Sequence, residues 1–183
     1  MEPKKEKTKI LDLGCGKKKY PGSVGIDISP ESDADVIHDL NVFPYHFKDS
    51  EFEYVYSDNV LEHLDDVIKV MEELHRITGN GATIKIIVPY FRSIYSSIDP
   101  AHKHCFTSMS FDYFVPGHRF NKLYKYSKAH FRLKKVVFDE EMRHNLLGRM
   151  IVKFVNKHPS VYAFKFSHLF PLNTMTFYLE TVK

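Results

Sequence analysis

The stretch from Thr8 to Ser29, TKILDLGCGKKKYPGSVGIDIS, decides the fold that this sequence predicts. The apolar run from Lys9 to Leu13 is too short for a helix and is stopped by Gly14 and Gly16, so it predicts a buried strand that enters a tight turn. A second strand is predicted from Val24 to Ile28. This order of strand, glycine turn and strand is typical of a nucleotide-binding unit.

Glycines and acids in this stretch indicate what kind of ligand it binds. Gly14 and Gly16 let a ligand approach the backbone and permit positive φ angles. Asp27 ends the second strand, where doubly wound folds place a carboxylate for ribose hydroxyls. The dinucleotide fingerprint does not fit, because Lys19 replaces its third glycine and Asp27 comes too soon after the turn. Asp12 would repel a pyrophosphate at the mouth of the turn, which favours a cationic ligand.

The residues Leu11 to Gly16, together with Gly25 to Ser29, resemble the class I S-adenosylmethionine (SAM)-dependent methyltransferases, and in particular small methyltransferase type 11-like proteins. SAM carries a sulfonium and an ammonium, which suit acids on both sides of the glycines. The resemblance implies SAM as the cofactor and S-adenosylhomocysteine (SAH) as the product. The alternative for these residues is a plain tight turn between core strands that Asp27 caps.

The resemblance also implies the architecture, an α/β fold with a Rossmann-like, doubly wound, mostly parallel sheet. The expected strand order is 3-2-1-4-5-7-6 with the last strand antiparallel. Only Lys17 to Gly22 separates the glycine turn from the second strand, which is shorter than a helical crossover requires. We therefore expect the first crossover helix to be truncated or missing. One wall of the cofactor site should then be open, and the basic carboxyl-terminal region or a partner would close it.

Further elements follow from apolar periodicity and from glycine and proline stops. The cofactor-binding half is predicted over 8–88 and the substrate half over 89–183. The elements predicted after the second strand are strands over 34–40, 52–57 and 83–88, a helix over 65–77 that a turn at 78–81 ends, a short helix over 107–114, a strand over 131–138, a helix over 145–156 and a strand over 173–183. The aromatic stretch 162–172 has no predicted role beyond a lid or core packing.

Composition predicts a single domain over residues 8–183, preceded by a disordered charged tail over 1–7. The 183 residues are 43% hydrophobic, enough for one packed core and too few for two comfortable ones. No apolar run approaches the ~18 residues of a membrane span, and the charged start has no apolar signal segment. Two cysteines do not make a disulfide framework, so we expect a cytoplasmic protein.

The resemblance assigns cofactor contacts beyond the glycine turn. Asp39 would accept a hydrogen bond from the adenine amine while Leu40 packs on the ring, and Ser57 and Asn59 would contact the methionine end. The alternative for Asp39 is a turn aspartate that caps its own backbone. The predicted cofactor-binding residues are Asp12, Gly14, Cys15, Gly16, Asp27, Ile28, Asp39, Leu40, Ser57 and Asn59.

Three histidines are the candidate catalytic residues, since imidazole titrates near neutrality. His63 lies in a Leu-Glu-His stretch typical of the superfamily, although a structural role beside Glu62 is an equal alternative. His102 and His104 lie in a loop after the fifth strand that should hang over the carboxyl ends of the strands. Asp-Pro-x-His loops of this kind are also similar to superfamily members found with sugar and cell-envelope enzymes.

That loop also contains enough ligand types for zinc. Its spacing matches no closed structural pattern, so the sequence predicts no metal site. The candidate ligands there are Asp99, His102, His104 and Cys105.

The sequence therefore predicts a SAM-dependent methyltransferase that acts on a small-molecule, sugar or envelope-type acceptor. The uneven distribution of charge is compatible with other functions as well. Residues 1–117 carry a net charge of −6 and residues 118–183 a net charge of +9. The basic part is a solvated face over core aromatics, or a surface for a phosphate, an anionic sugar, RNA or an acidic membrane. A non-catalytic SAM-binding partner subunit is the second alternative, and an RNA methyltransferase or nucleic-acid-binding protein the third. The oligomeric state is not predicted.

Overall fold

A computed structural model describes residues 8–140 and 145–183; the predicted tail over 1–7 lies outside them. Its strands form one seven-stranded sheet in the order β3-β2-β1-β4-β5-β7-β6, which confirms the predicted order. β7 is antiparallel to both of its neighbours, as predicted. The strands are β1 (Ile10–Leu13), β2 (Val24–Asp27), β3 (Val36–Ile37), β4 (Phe52–Asp58), β5 (Thr78–Pro89), β6 (His130–Phe138) and β7 (Thr174–Val182).

The helices are few and concentrated after β4. Single 3-10 turns cover Leu61–His63, Ile94–Ser96 and Asp112–Phe114, and a π-helical turn covers Tyr162–Phe166. No helix of the described chain is long and apolar enough to cross a bilayer. The α-helices are α1 (Val67–Ile77), α2 (Arg119–Tyr124), α3 (Leu146–Lys157) and α4 (Pro159–Val161).

The crossovers that join β1 to β2, β2 to β3 and β3 to β4 contain no helix, so the prediction for the first crossover is confirmed. The short loop after β1 is held by side chains instead. Lys19 pairs with Asp35 at 2.8 Å, and the same carboxylate accepts a hydrogen bond from the backbone N–H of Gly25. The ring of Tyr20 packs beside that of Tyr56, with 4.8 Å between centroids. The ring of Tyr20 thus covers part of the sheet at β4, close to the crossover that lacks a helix.

One part of the core lies between the sheet and α1, and another lies among the sheet, the segment 106–114, α3 and Tyr162. Val70, Met71, Leu74 and Ile77 are fully buried on one face of that helix, as its periodicity predicts. Asp66 begins the helix by accepting a hydrogen bond from the N–H of Lys69.

Tertiary pairing changes some predicted boundaries. The expected turn at 78–81 belongs to β5, because Thr78 pairs with Phe52 across an irregularity in the ladder. The third strand shrinks to two residues, since its pairing with β2 ends at Ile37. The short helix expected over 107–114 is only a 3-10 turn. α2 and the helical turns of 159–166 were not predicted, because short aromatic segments carry little periodicity.

The described basic carboxyl-terminal region does not sit beside the helix-free crossovers. α3 packs against β6, at the opposite edge of the sheet from β2 and β3. This corrects the expectation that the region closes the wall near the glycine turn.

Candidate active site

The glycine turn after β1 is held tightly in place. Gly14 and Gly16 have φ angles of +69° and +53°, and the N–H of Gly14 donates to the carbonyl of Ile26 at 2.8 Å. A Cβ atom on Gly14 would lie 2.5 Å from Cγ2 of Val60. Position 14 therefore needs glycine for space as well as for conformation.

Asp27 lines a cavity of about 320 Å³ at the carboxyl ends of β1, β2 and β4, called here the Asp27 cavity. Both of its carboxylate oxygens already accept backbone hydrogen bonds, Oδ2 from Gly16 at 2.9 Å and Oδ1 from Ser29 at 2.8 Å. A carboxylate oxygen has a second lone pair, so each can accept another bond. The lining residues are Gly14, Asp27, Ile28, Asp39, Leu40, Asn41, Asn59, Val60, His63 and Leu64.

Asp39 and Leu40 lie in the same cavity, as the resemblance implies. Asp39 also accepts hydrogen bonds from the backbone and side chain of Asn41, so the turn-capping alternative is present as well. The carbonyl of Leu40 accepts a hydrogen bond from the hydroxyl of Tyr45 at 2.9 Å. Tyr45 is buried, so it fixes the backbone at the cavity wall.

Asp12 lines a second cavity of about 570 Å³ on the other side of Gly14, called here the Asp12 cavity. Only 3% of Asp12 is exposed, and its Oδ2 accepts from the N–H of Tyr20 at 2.7 Å. Burial raises the pKa of Asp12, and the charges of Asp58 and Asp27 raise it further. The negative charges of Asp58 and Asp27 near Asp12 favour a positively charged group beside Asp12, although Lys17 and Lys18 also line the cavity. The lining residues are Asp12, Gly14, Cys15, Gly16, Lys17, Lys18, Tyr56 and Asp58.

Two predicted cofactor contacts are less accessible than expected. The thiol of Cys15 packs towards Gly25, and burial raises its pKa to about 11. Ser57 is fully buried, lines none of the cavities described here, and its Oγ has no hydrogen-bond partner among the described residues. The following residues Asp58 and Asn59 reach the cavities instead. The sequence analysis did not predict Asp58 as a site residue, because the resemblance to the family assigns roles to its neighbours Ser57 and Asn59.

A third cavity of about 390 Å³, called here the His102 cavity, contains two of the three predicted histidines. The rings of His63 and His102 meet at 70°, with centroids 4.6 Å apart. Nδ1 of His102 lies 3.2 Å from the carbonyl oxygen of Ser96. The lining residues are Asn59, Glu62, His63, Pro89, Tyr95, Ile98, Asp99, His102 and Thr174.

Glu62 completes this group, and sequence reasoning did not single it out. It is 1% exposed, and neither carboxylate oxygen has a hydrogen-bond partner among the described residues. Burial raises the pKa of Glu62 to about 7, because its effect is larger than the opposing effects of the residue's own backbone and of nearby His102. One ligand atom from each of Glu62, His63 and His102 lies within 4.8 Å of the others. We call these three residues the Glu62 trio.

His104 is not part of the trio. Its Nε2 lies 2.8 Å from the carbonyl oxygen of Leu64, and it does not line the His102 cavity. The backbone N–H groups of Lys103 and His104 donate to the carbonyl of Glu62. These contacts attach the loop that carries His102 to the 3-10 turn at 61–63.

The three cavities form a row with shared walls. Gly14 lines both the Asp12 and the Asp27 cavity. Asn59 and His63 line both the Asp27 and the His102 cavity. The row gives space for an elongated ligand and for a second molecule beside it.

Comparison with known proteins agrees with the fold and the glycine turn. Residues 11–86 match the family described as a methyltransferase domain. A curated relative, ajmaline N-methyltransferase from Rauvolfia serpentina, is 30% identical over an alignment 116 positions long that covers 51% of this chain and 40% of the relative. The chain therefore spans less than half of that relative's length.

Solved structures show the same fold at low identity. A SAM-dependent methyltransferase from Archaeoglobus fulgidus is 16% identical with a TM-score of 0.60, over 97% of this chain and 87% of that one. A putative methyltransferase from Haloferax volcanii, solved with the activator Trm112, is also 16% identical with a TM-score of 0.60, over 99% and 85%. The match over residues 11–86 and the strand order of the whole sheet are those of a class I methyltransferase fold, and they support SAM as the cofactor.

Proposed function

We propose that this protein transfers a methyl group from SAM to a small acceptor bound in the His102 cavity. One observation carries the proposal: Asn59 and His63 line both the Asp27 cavity and the His102 cavity. We assign Asn59, which follows Asp58 of the Asp12 cavity in the chain, to the methionine end of the cofactor, so the methyl group would lie next to a molecule in the His102 cavity. Methyl transfer needs this adjacency, because the acceptor must approach the methyl group in line with the breaking carbon–sulfur bond.

Each part of SAM has matching chemistry in the row of cavities. Asp27 has acceptor capacity left for the ribose hydroxyls, and Asp39 and Leu40 suit the adenine. The buried carboxylate of Asp12, with Asp58 beside it, suits the cationic methionine end. Gly14, at the shared wall, lets the ligand pass close to the backbone.

The lining of the His102 cavity favours an acceptor that is uncharged or cationic. It contains the acids Glu62 and Asp99 and no lysine or arginine. A phosphate of RNA would meet negative charge there, whereas a hydroxyl or an amine would find hydrogen-bond acceptors. The relative's name specifies N-methylation of ajmaline, which supports a small-molecule acceptor. A sugar hydroxyl fits the same chemistry.

Most of the catalysis then comes from positioning and from exclusion of water. As the acceptor's oxygen or nitrogen bonds to the methyl carbon, the carbon–sulfur bond breaks and its electron pair stays on sulfur, giving SAH. The acceptor also loses a proton, which passes to water or to Asp99 in the same cavity. We assign its activation to the Glu62 trio, with His63 and His102 as catalytic residues and His104 as a positioning residue.

Calorimetry with SAM, SAH and NAD tests the cofactor side of the proposal. We expect binding of SAM and SAH and no binding of NAD. A screen with labelled methyl groups across amines, sugars, lipids and RNA tests transfer. SAM binding with no acceptor in any class would favour the alternative of a non-catalytic SAM-binding subunit. Transfer to RNA alone would contradict the acceptor class proposed here.

We further propose that residues 8–183 act as one domain in the cytoplasm. Cys15 and Cys105 are both free, as expected for a reducing compartment. Residues of the predicted cofactor half line the Asp12 and Asp27 cavities, and both halves contribute to the His102 cavity. Proteolysis that left one resistant fragment with SAM-binding ability would support the single domain.

A further inference from the structure

We propose that the Glu62 trio binds a divalent transition-metal ion, such as Zn²⁺ or Fe²⁺, in the wall of the His102 cavity. Two imidazoles and one carboxylate are a known ligand set for both ions. The binding itself does not depend on the proposed methyl transfer; only its chemical consequence rests on that function. The sequence predicted no metal, because it considered Asp99, His104 and Cys105 with His102 and not the set that the fold brings together.

The geometry of the two rings suits a shared ion. Imidazoles that bind one ion at about 2.1 Å through nitrogen, at an angle near 100°, have ring centroids roughly 5 Å apart. The observed separation between His63 and His102 is 4.6 Å, at an interplanar angle of 70°. All three ligand atoms lie within 4.8 Å of one another, so small side-chain rotations would bring them around one ion.

Glu62 is the second observation that points to a cation. Its side chain is almost completely buried, lines the cavity and has no hydrogen-bond partner among the described residues. A buried carboxylate without a partner is costly unless it is neutralised by a proton or a cation. A metal ion would provide the missing positive charge and the missing contact together.

The surroundings orient the ligands as metal sites usually require. When Nδ1 of His102 donates to the carbonyl oxygen of Ser96, its Nε2 keeps a free lone pair for the ion. The backbone of Glu62 is fixed by the N–H groups of Lys103 and His104. One side of the trio faces the cavity, so an acceptor oxygen or nitrogen can take an open coordination position.

This placement gives the ion a role in the proposed reaction. An acceptor group bound to a divalent cation loses its proton more readily. The proton would pass to water or to Asp99, which lines the same cavity. The deprotonated group then attacks the methyl carbon of SAM, and SAH leaves.

Direct metal binding tests the proposal without any acceptor. The protein would be treated with a chelator, dialysed, and titrated calorimetrically with Zn²⁺, Mn²⁺ and, without oxygen, Fe²⁺. We expect one ion per chain, with affinity reduced at least 100-fold by His102→Ala and Glu62→Gln and partly restored by Glu62→Asp. Cys105→Ser is the matched control, because it removes an exposed ligand type from the same loop without touching the trio.

Calorimetry with SAM and circular dichroism would verify that each variant is folded. Absence of stoichiometric binding to folded wild-type protein would overturn the metal site, and so would binding that survives both substitutions. Methyl transfer that is equally fast without metal would refute the ion's role in the reaction and leave the proposed function standing. Metal binding without methyl transfer to any acceptor would refute the proposed function, but the proposed metal site would stand.

A second inference concerns an exposed face formed by α3 and the segment after it. We infer that this face docks on an anionic lipid bilayer. Leu147 is 67% exposed and Phe164 71% exposed. A groove of about 320 Å³ is lined by several of the face's apolar residues, namely Leu147, Met150, Phe154, Phe166 and Phe170. We call it the basic apolar face, and its exposed apolar residues are Leu146, Leu147, Met150, Phe154, Phe164, Phe166, Leu169 and Phe170.

The positive charge of this face favours an anionic membrane as its binding partner. Arg149, Lys153, Lys157 and Lys165 lie in the same segment, and the sequence contains no acidic residue from 145 to 179. A second copy of the chain would place like charges against each other, whereas anionic lipids would neutralise them while the apolar side chains enter the interface. The face is therefore complementary to an acidic membrane surface.

Sedimentation with vesicles tests this inference. We expect the full chain to bind vesicles of phosphatidylcholine with about 30% phosphatidylglycerol, in a salt-dependent way, and not pure phosphatidylcholine. Phe164→Ser with Leu169→Ser, and separately Lys153→Glu with Lys157→Glu, should each reduce binding at least tenfold. Leu123→Ser is the control, because Leu123 is equally exposed on α2. Lack of binding to anionic vesicles would refute the inference, as would a dimer that the Phe164 and Leu169 changes dissociate.

Discussion

The carboxylate of Asp27 accepts a hydrogen bond from the backbone N–H of Gly16, with 2.9 Å between Oδ2 and the nitrogen. This contact joins the end of β2 to the glycine turn after β1. No helix packs between these two strands, so the turn depends on such side-chain contacts for its shape. The same carboxylate is the one expected to bind the ribose of SAM.

Replacing Asp27 should weaken cofactor binding by two routes. Asp27→Ala removes the ribose acceptor and also frees the N–H groups of Gly16 and Ser29, so we expect at least a tenfold loss of SAM affinity. Asp27→Asn keeps one acceptor oxygen and should lose less. Calorimetry would measure both, with Glu31→Gln, a change at an exposed acid in the same loop, as control. Unchanged affinity in Asp27→Ala would contradict the assignment.

Gly14 and Gly16 should respond differently to alanine. Both have positive φ, but only a Cβ on Gly14 would collide with Val60, whereas that on Gly16 meets nothing within 4 Å. We expect Gly16→Ala to cost about 1 kcal/mol and Gly14→Ala about 1–3 kcal/mol more, measured by urea unfolding. Adding Val60→Ala to Gly14→Ala should recover part of the difference. Equal effects at the two positions would show that the contact with Val60 is unimportant.

Asp12→Asn should weaken cofactor binding without removing the hydrogen bond that Asp12 contributes to the fold. The oxygen of asparagine can still accept from the N–H of Tyr20, while the repulsion from Asp58 and Asp27 disappears. We expect weaker SAM binding and a smaller effect on SAH, which lacks the sulfonium charge. Calorimetry with both ligands measures this, and equal losses for the two would argue against a charge-based role.

The pH dependence of stability should change in the same variant. The pKa of Asp12 is higher in the folded protein than its ordinary value of 3.8, so ionised Asp12 destabilises the fold. That cost is absent well below pH 3.8, develops as the pH rises to the raised pKa, and stays constant above it. Asp12→Asn should therefore be more stable than wild type at pH 7 and equal to it near pH 3. Urea unfolding across this range would check the trend, and a constant difference at every pH would refute it.

Arg76 should be the main anchor of the segment before β4. Its guanidinium donates to Glu73, to Asp49 and to the carbonyl oxygens of Tyr45 and Phe47. Arg76→Met would leave the buried Glu73 with the backbone N–H of Tyr45 but without its charged partner, and we expect a loss of roughly 3 kcal/mol in the free energy of unfolding.

Arg76→Lys keeps the charge but not the forked geometry, so its loss should be intermediate. Urea unfolding measures both variants. Lys69→Met is the control, because its pair with Asp66 on the same helix is exposed. A loss in Arg76→Met no larger than in the control would contradict the anchoring role.

The sequence by itself determined the elements that local chemistry specifies. Short apolar runs and two glycines predict β1, the turn and β2, and the six residues after Gly16 are too few for a helix, so the missing crossover follows from length alone. The position of Asp27 at a strand end is equally local. Strand order and the cofactor came from the resemblance of these motifs to a known superfamily, and both are confirmed.

Only the tertiary structure decided which side chains meet in the proposed acceptor site. His102 lies far from Glu62 in sequence and reaches it because the N–H groups of Lys103 and His104 bind the carbonyl of Glu62. Such long-range backbone contacts leave no periodic signal in the sequence, which is why His104 looked equivalent to His102 and Glu62 was not singled out. Burial of Ser57 at the end of β4 depends in the same way on packing that residue spacing does not encode.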